Sequence, residues 1–251
     1  MSTKKTDNES IRLNRYIASS GFCSRRQADE YIQDNRVTID GKSVQMGQKV
    51  FPGQVVRVDN KPIFPEDDLI YIMLHKPTGI TCTTDPKDPD NVISYIGHDQ
   101  RIFPIGRLDK MSTGLLLLTN DGSIVNAILR AEGRHEKEYY VEVDKPFDAS
   151  FITSMQSGVP ILDTVTRPCK IVRTGKKTFK IILTQGLNRQ IRRMCEYHGY
   201  RVKKLKRIRI MNITLGNLPL GQWRSLKPKE LRDLKKILYP SQTGSNINVS
   251  G

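Results

Sequence analysis

The sequence predicts an α+β protein in which a small N-terminal domain precedes a larger one. Helical and strand patterns mix along the chain without the strict repetition of βαβ units, which favours α+β over a doubly wound sheet. The length of 251 residues is sufficient for one main domain and a small companion. A segment at 61–68 holds two prolines and is predicted to be a linker. We therefore expect domains at 10–60 and 69–240, with disordered polar tails at 1–9 and 241–251.

The first two predicted elements are short helices. The first helix is predicted by apolar residues at helical spacing that end at a glycine, namely Ile11, Leu13, Tyr16, Ile17 and Gly21. Ser24 begins the second helix, because its spacing from Gln27 matches a capping box that satisfies free N–H groups of the first turn. This helical pair carries a cluster of four arginines, namely Arg12, Arg15, Arg25 and Arg26.

Short strands complete the N-terminal domain. Residues 37–39 and 42–44 are predicted to form a hairpin, because Asp40 and Gly41 between them supply the positive φ angles of a type I′ turn. Residues 54–58 form the next predicted strand.

The larger domain is predicted from apolar runs, alternating segments and helical spacing. The strands are predicted at 69–74, 115–118, 139–143, 178–183 and 207–215. The helices are predicted at 121–130 with Asp121 as the cap, at 190–197, and at 228–238 with a proline in the first turn. Residues 75–79 and 83–91 are predicted to be a turn and a polar loop.

The charge of the chain indicates a polyanionic partner. The sequence has 41 basic and 26 acidic residues, a net charge of +15, and a pI near 9.7. A charge of that size disfavours compaction by self-repulsion, so nucleic acid is the leading candidate partner and an anionic membrane surface the second. No apolar run approaches the ~20 residues that span a bilayer, which argues against a membrane protein.

The cysteines and the N-terminus indicate a cytoplasmic protein. The start of the chain is polar and lacks the apolar core of a signal peptide. The four cysteines do not pair at metal-ligand or redox spacing, and reduced thiols are expected for Cys23, Cys82, Cys169 and Cys195. No two of the four histidines stand at i, i+4, so we expect no zinc site.

Asp109 is the most informative single residue. It lies in the stretch FPIGRLDKMSTGLLLLTNDG at 103–122, flanked by Arg107 and Lys110 and followed by four leucines. An acid in a glycine-punctuated loop that enters a buried strand is a poor choice for packing and a good place for chemistry. The alternative is an ordinary solvated acid in a turn.

A second informative region is strongly basic. Between residues 186 and 210 there are nine basic residues and a single acid, Glu196. That density can bind several phosphates with a strong dependence on salt. Gln190, Ile191 and Met194 interleave with the arginines and would place apolar atoms beside guanidinium groups, as a pocket for a base requires. The alternative is a generic basic face.

The N-terminal domain resembles the S4 RNA-binding domain. SRRQADEYI at 24–32, followed by VTIDGK at 37–42, is typical of that domain. The resemblance implies that the four arginines of the helical pair bind RNA. The alternative is an ordinary solvated helical hairpin.

The larger domain resembles the RNA pseudouridine synthases. The stretch around Asp109 is similar to their central motif, KEYYV at 137–141 to their tyrosine motif, and NRQIRRM at 188–194 to their third motif. With the S4-like domain, the chain is similar to the RsuA group, which modifies ribosomal RNA. The likeness covers nearly the whole globular part, and three motifs in order are more specific than any one.

The resemblance implies a fold, a reaction and a substrate. The fold is a catalytic domain with a mixed, mostly antiparallel central sheet flanked by helices. The reaction detaches the uracil of a uridine, rotates it and rejoins it through carbon, without a cofactor or metal. A 23S ribosomal RNA stem-loop is the implied substrate, and a tRNA anticodon stem-loop is a second candidate. Nothing in the sequence demands more than a monomer.

The resemblance also assigns roles to residues. Asp109 is the catalytic nucleophile, and Arg192 is its counter-charge, with Arg193 as the neighbouring alternative. Tyr139 stacks on the uracil, and Ile191 makes apolar contact with it. Further substrate contacts are implied for Arg107, Leu108, Lys110, Arg189 and Gln190. Arg107 is suited to take the place of a flipped-out base.

Two other readings remain open. One is a non-catalytic S4-type RNA-binding protein or ribosome-assembly factor, in which Asp109 and Arg192 form only a structural salt bridge. The other is a membrane-surface protein, which is disfavoured because the basic segments lack a sustained amphipathic face rich in aromatic residues.

Overall fold

The computed structural model describes residues 10–130 and 133–240. The chain divides after Leu69 into two compact units. The predicted α+β class is confirmed, and the expected tails at 1–9 and 241–251 lie outside the described residues. Within the described ranges, none of the helices combines the length and the apolar character that a membrane crossing requires.

The N-terminal unit packs two helices against short antiparallel strands. The helices are α1 (Leu13–Ser19) and α2 (Arg25–Gln33). The strands are β1 (Ile11–Arg12), β2 (Val37–Ile39), β3 (Lys42–Ser43), β4 (Lys49–Val50), β5 (Val56–Val58) and β6 (Lys61–Ile63). One sheet has the order β3-β2-β5-β6, and β1 pairs with β4.

The local signals of this unit are confirmed. The Ser24 hydroxyl accepts a hydrogen bond from the Gln27 N–H at 3.2 Å, and the Gln27 side chain accepts one from the Ser24 N–H at 3.0 Å. Asp40 and Gly41 adopt φ angles of 51° and 77°, as a type I′ turn requires.

Two expectations for this unit need correction. Ile11 does not belong to the first helix, because it pairs with Val50 between β1 and β4 and is exposed. The expected linker at 61–68 contains β6, whose residues hydrogen-bond to β5, so the N-terminal unit continues to Leu69. Pro62 misled the prediction, because a proline is tolerated in an edge strand such as β6.

The larger unit is built on one sheet flanked by helices. Its strands are β7 (Tyr71–Lys76), β8 (Phe103–Ile105), β9 (Thr113–Thr119), β10 (Lys137–Val143), β11 (Pro160–Ile161), β12 (Thr164–Val165), β13 (Lys170–Arg173), β14 (Thr178–Leu183), β15 (Val202–Ile210), β16 (Ile213–Thr214) and β17 (Trp223–Ser225). Its helices are α3 (Val92–Ile96), α4 (Gly122–Leu129), α5 (Ala149–Ser157), α6 (Gln190–Tyr197) and α7 (Pro228–Leu238).

The central sheet is mixed and mostly antiparallel, as expected. Its order is β13-β14-β10-β15-β9-β7-β17, with β8 added to β9 and β16 to β15, while β11 and β12 form a separate hairpin. Among the strands of the described ranges, β9 and β15 form the single parallel pair. Parallel strands begin at the same edge of a sheet. The segments that precede β9 and β15 are therefore brought together.

The four leucines of β9 explain how the sheet is buried on both faces. Leu115 and Leu117 pack in a cluster with residues of α4 and α7. Leu116 and Leu118 pack in a second cluster with residues of α3. A strand that is covered on both faces has a continuous apolar run instead of an alternating one.

Several elements differ from their predicted bounds. The strand predicted at 69–74 lies at 71–76, and the segment predicted as one strand at 207–215 contains the end of β15, a turn and β16. The turn occurs at Met211, whose φ is 51°. The start of β15 at Val202 was missed because the basic residues that follow it do not alternate with apolar ones. Helices α3 and α5 and the short strands at 103–105 and 223–225 were not predicted from the sequence.

The junction between β9 and β15 depends on the absence of a side chain at Gly114. Gly114 lies opposite Arg207 and has a φ of +112°. A Cβ atom there would clash with the Arg207 carbonyl oxygen and lie 2.9 Å from its carbonyl carbon. Backbone atoms cannot move aside without separating the two strands, so only glycine fits.

We predict that Gly114→Ala lowers the free energy of unfolding by about 2–4 kcal/mol, because it combines an unfavourable φ with a backbone clash. Urea unfolding followed by circular dichroism measures the change. The control is Gly122→Ala, at the start of α4, where nothing lies within 4 Å of the added Cβ. That change should leave stability unaltered or raise it by up to about 1 kcal/mol. Equal stability of the two variants would contradict the prediction.

Candidate active site

Asp109 lies in the loop between β8 and β9, at the edge where β15 also begins. Arg192 lies on α6, which precedes β15, so the parallel pairing brings the two side chains together. The Arg192 Nε atom donates a hydrogen bond to Asp109 Oδ2 at 3.3 Å. These residues are 83 positions apart in the sequence.

Arg192 is held rigidly behind the carboxylate. Its side chain is 11% exposed, whereas that of Asp109 is 29% exposed. Its Nη1 donates to the Val202 carbonyl oxygen and its Nη2 to the Ser112 hydroxyl, both at 3.2 Å. Arg193 instead donates to the backbone and side-chain oxygens of Asn188. The geometry therefore selects Arg192 over Arg193 as the partner of Asp109.

Arg189 is a second cation near the carboxylate. Its Nη1 lies 3.8 Å from Asp109 Oδ2, and its side chain is half-exposed. It occupies the position before α6 with a φ of 49°. A non-glycine residue in that conformation carries local strain, which is common at functional sites.

A buried lysine braces the Asp109 loop. Lys76, at the end of β7, is fully buried, and its Nζ donates to the carbonyl oxygens of Pro77 and Ile80 at 2.7 Å and of Lys110 at 3.3 Å. Burial lowers the pKa of Lys76, while the charges of Cys82 and Asp109 oppose that shift. The ammonium thus ties the turn after β7 to the residue that follows Asp109.

A cavity of about 770 Å³ opens beside Asp109. Among the described residues that line it, Asp109 is the single acid. Seven basic residues also line it, namely Arg107, Lys110, Arg130, Lys137, Arg167, Arg189 and Arg207. The site is therefore a basic cavity with one carboxylate at its wall.

The structure places eight of the nine predicted site residues in the cavity wall, namely Arg107, Leu108, Asp109, Lys110, Tyr139, Arg189, Gln190 and Ile191. Arg192, the ninth, is not part of the cavity wall and contacts Asp109, which is. Tyr139 is half-buried and packs between two core clusters, and Ile191 is buried beside it in one of them. Arg107 is exposed at the rim.

Three of these residues have structural contacts that their predicted roles did not include. Gln190 is 4% exposed, and its Oε1 accepts a hydrogen bond from the Leu187 N–H at 3.1 Å, so it shapes the turn before α6. Leu108 is buried in the core. Lys110 forms an exposed ion pair with Asp90 at 2.9 Å, which raises the pKa of Lys110. Gln190 and Leu108 therefore line the cavity as buried residues.

The four predicted arginines of the N-terminal unit form an exposed basic surface. Within the described part of the chain, none of Arg12, Arg15, Arg25 and Arg26 makes an ion pair, and all four are exposed. Arg36 differs, because it pairs with Asp59 at 2.6 Å and stacks on the Tyr31 ring at 4.2 Å. The four free guanidinium groups are available to a polyanion.

Sequence reasoning missed three cations of the site: Lys76, Lys137 and Arg207. Lys76 ends an apolar strand, which was a weak signal for a buried lysine. Lys137 stands two residues before Tyr139, a spacing that places both on one face of a strand. Arg207 had no signal that separated it from the other basic residues at 186–210.

Two protein-family models match the chain. The model described as RNA pseudouridylate synthase matches residues 70–197, and the model described as S4 domain matches residues 11–56.

Relatives match over nearly the full length. The dual-specificity RNA pseudouridine synthase RluF of Escherichia coli (strain K12) is 53% identical over 236 residues, covering 93% of this chain and 81% of the relative. The ribosomal large subunit pseudouridine synthase B of Bacillus subtilis (strain 168) is 35% identical, covering 90% and 96%. A crystal structure of a pseudouridylate synthase superposes with a TM-score of 0.66 at 26% identity, over 89% of this chain and 99% of that one.

We predict that Lys76→Met lowers the free energy of unfolding by roughly 2–4 kcal/mol, because three carbonyl oxygens lose a charged donor. Thermal or urea unfolding measures the change. Lys87→Met, in the exposed polar loop, is the matched control and should alter stability by less than about 0.5 kcal/mol. A Lys76→Met variant as stable as the control would show that the ammonium does not brace the loop.

Proposed function

The chain belongs to the RNA pseudouridine synthase family, and we propose that it uses Asp109 to isomerise a uridine of a 23S ribosomal RNA stem-loop. The family assignment makes it an RNA-modifying isomerase with an S4 domain. The residues that perform the chemistry and the RNA that is modified are the subject of the proposal.

The observation that carries the proposal is the position of Asp109. A carboxylate stands at the wall of a cavity whose other charged lining residues, within the described ranges, are all basic, and Arg192 and Arg189 lie against it. A protein that only bound RNA would bind it better without this acid, because the acid repels phosphates. A structural salt bridge with Arg192, the role that the non-catalytic alternative gives Asp109, does not require the acid to line the cavity, whereas a nucleophile must reach it.

The cavity suits a single extruded nucleotide. A base inside an RNA helix cannot reach Asp109, so the target uridine must flip out of the stack. Tyr139 offers an aromatic face to the uracil, and Ile191 offers an apolar contact. Arg107 is exposed at the rim, where its planar guanidinium can occupy the space that the base vacates.

The reaction needs no net oxidation or reduction. The bond between N1 and C1′ breaks, a bond between C5 and C1′ forms, C5 loses a proton and N1 gains one. Asp109 can assist by attack on the electron-poor sugar carbon or by addition to the base. Substrate and product are isomers, so the proposal needs no redox cofactor, and the family resemblance implies no metal.

The named relatives support the choice of substrate. The name of the relative at 53% identity specifies dual specificity, and that of the relative at 35% identity specifies the large ribosomal subunit. We therefore include a tRNA anticodon stem-loop as a second substrate. Ribosomal RNA and tRNA are cytoplasmic in bacteria, and we propose that the protein acts there as a monomer.

We predict that Asp109→Asn abolishes pseudouridine formation while RNA affinity stays equal or increases slightly, because a negative charge is lost from a basic cavity. Pseudouridine mapping on 23S rRNA and tRNA from cells without the gene, complemented by each variant, measures activity. Asp90→Asn, which also removes one acid near Lys110, is the control and should remain active. An active Asp109→Asn protein would refute the assignment.

We predict that replacing Arg12, Arg15, Arg25 and Arg26 together by Gln weakens RNA binding and flattens its salt dependence. Each lost phosphate contact lowers the slope of log affinity against log salt by about 0.7–0.9. Replacing Lys42, Lys49, Arg57 and Lys61 by Gln removes the same charge from the strands of that unit. If both sets weaken binding equally, net charge is responsible and the helical surface has no special role.

A further inference from the structure

Two cations of the cavity wall are at least partly buried and have no role in the proposed mechanism. Lys137 lies on β10 and Arg207 on β15, and both line the cavity. Tyr139 pairs directly with Arg207 across these strands, and Lys137 precedes it by two residues on the same strand face. The two cations therefore lie beside the aromatic ring on which the uracil is proposed to stack.

Both groups are incompletely satisfied by the residues that the structure describes. Arg207 is 3% exposed, and its Nε donates to the Leu115 carbonyl oxygen at 2.7 Å, but its buried Nη2 has no hydrogen-bond partner among the described residues. The Lys137 side chain is half-buried. Among the described residues, its ammonium donates a single hydrogen bond, to the His135 carbonyl oxygen at 3.3 Å. A buried donor without an acceptor is costly, so a ligand that supplies one is favoured.

Among the described residues, neither Lys137 nor Arg207 forms an ion pair with an acid. Glu136 and Glu138, which flank Lys137 in the chain, both pair with Arg209 at 2.9 Å. Burial lowers the pKa of Lys137, and the charge of Arg207 lowers it further. Two partly desolvated cations side by side are unfavourable until an anion arrives.

The reaction produces an anion at this place. When the bond between N1 and C1′ breaks, its electron pair stays with the base, and the detached uracil carries a negative charge shared by N1 and the two carbonyl oxygens. The base must then turn so that C5 faces C1′. Its charge has to be stabilised throughout that rotation, and a fixed carboxylate such as Asp109 cannot do so.

We propose that Lys137 and Arg207 form a cation pair that holds the detached uracil anion through its carbonyl oxygens while the base rotates. This inference rests on the proposed function of the same cavity. The anion gives its electron pair to C1′ in the new C5 bond, the C5 proton leaves to solvent, and N1 takes a proton from solvent. Donors that are already oriented toward developing charge lower a barrier without reorganisation.

The test measures single-turnover rates at saturating enzyme, together with RNA affinity. Lys137→Met should lower the rate by about 100-fold, the typical loss for one such donor, while affinity changes less than about twofold. Lys137→Arg should retain most of the rate. The control is Lys170→Met on the exposed start of β13, which removes the same charge outside the cavity and should leave the rate unaltered.

A second substrate separates stabilisation of the anion from a structural effect. In RNA with 5-fluorouridine at the target position, the fluorine makes the departing base a more stable anion. The loss caused by Lys137→Met should therefore shrink when disappearance of 5-fluorouridine is measured. An equal loss on both substrates, or a loss of affinity with an unchanged rate, overturns the proposal.

Two further outcomes have defined meanings. If Lys137→Met does not fold, as judged by thermal unfolding, Lys137→Gln replaces it, and a Gln variant with the wild-type rate also overturns the proposal. If Asp109→Asn is active, the proposed function itself is wrong. If Asp109→Asn is inactive and Lys137→Met is unimpaired, only the cation pair is wrong.

Discussion

The parallel contact between β9 and β15 positions the whole site. Every other pairing of the central sheet is antiparallel among the described residues, and an antiparallel contact here would place α6 at the opposite edge from Asp109. The contact is short, and it depends on Gly114 because any side chain would strike the backbone of Arg207. The same contact fixes the Arg207 side chain over the cavity, so one glycine sets the spacing of the acid and of an inner cation.

Around this junction the charges are arranged by depth. Arg192 is nearly buried and donates hydrogen bonds to three acceptors, one of which is the Asp109 carboxylate. This charged donor offsets the desolvation cost of the carboxylate beside the cavity. Lys76 lies deeper still and bonds only to backbone oxygens. Rim residues such as Arg107 remain in solvent. Groups that hold the reacting centre are therefore rigid, and groups that meet the flexible RNA are free to adapt.

The elements that sequence reasoning predicted well are those with local signals. The capping box of α2, the type I′ turn and the bounds of α6 and α7 depend on neighbouring residues, and the structure confirms them. The linker was predicted wrongly because Pro62 concealed β6, which pairs with the neighbouring β5. The bounds of β15 were predicted wrongly because its basic start forms through pairing with β10, which is distant in the sequence. Propensity cannot show such pairing.

The same distinction applies to the site. The motifs led to Asp109 and Arg192, but their spacing left Arg193 open until the contacts with Asn188 were known. A substrate contact was implied for Gln190 by the family resemblance, and its burial became visible only in the fold. Lys76, Lys137 and Arg207 are three cations among 41, and composition does not reveal which of them a sheet will bury.

The long sequence separation of Asp109 from Arg192 has a consequence for folding during synthesis. The N-terminal unit closes contacts of short range, so it can fold while the rest of the chain is still being synthesised. The contact between Asp109 and Arg192 joins residues 83 positions apart and requires β15 to be in place. We therefore expect a nascent chain to complete its S4-type unit well before Asp109 and Arg192 can meet.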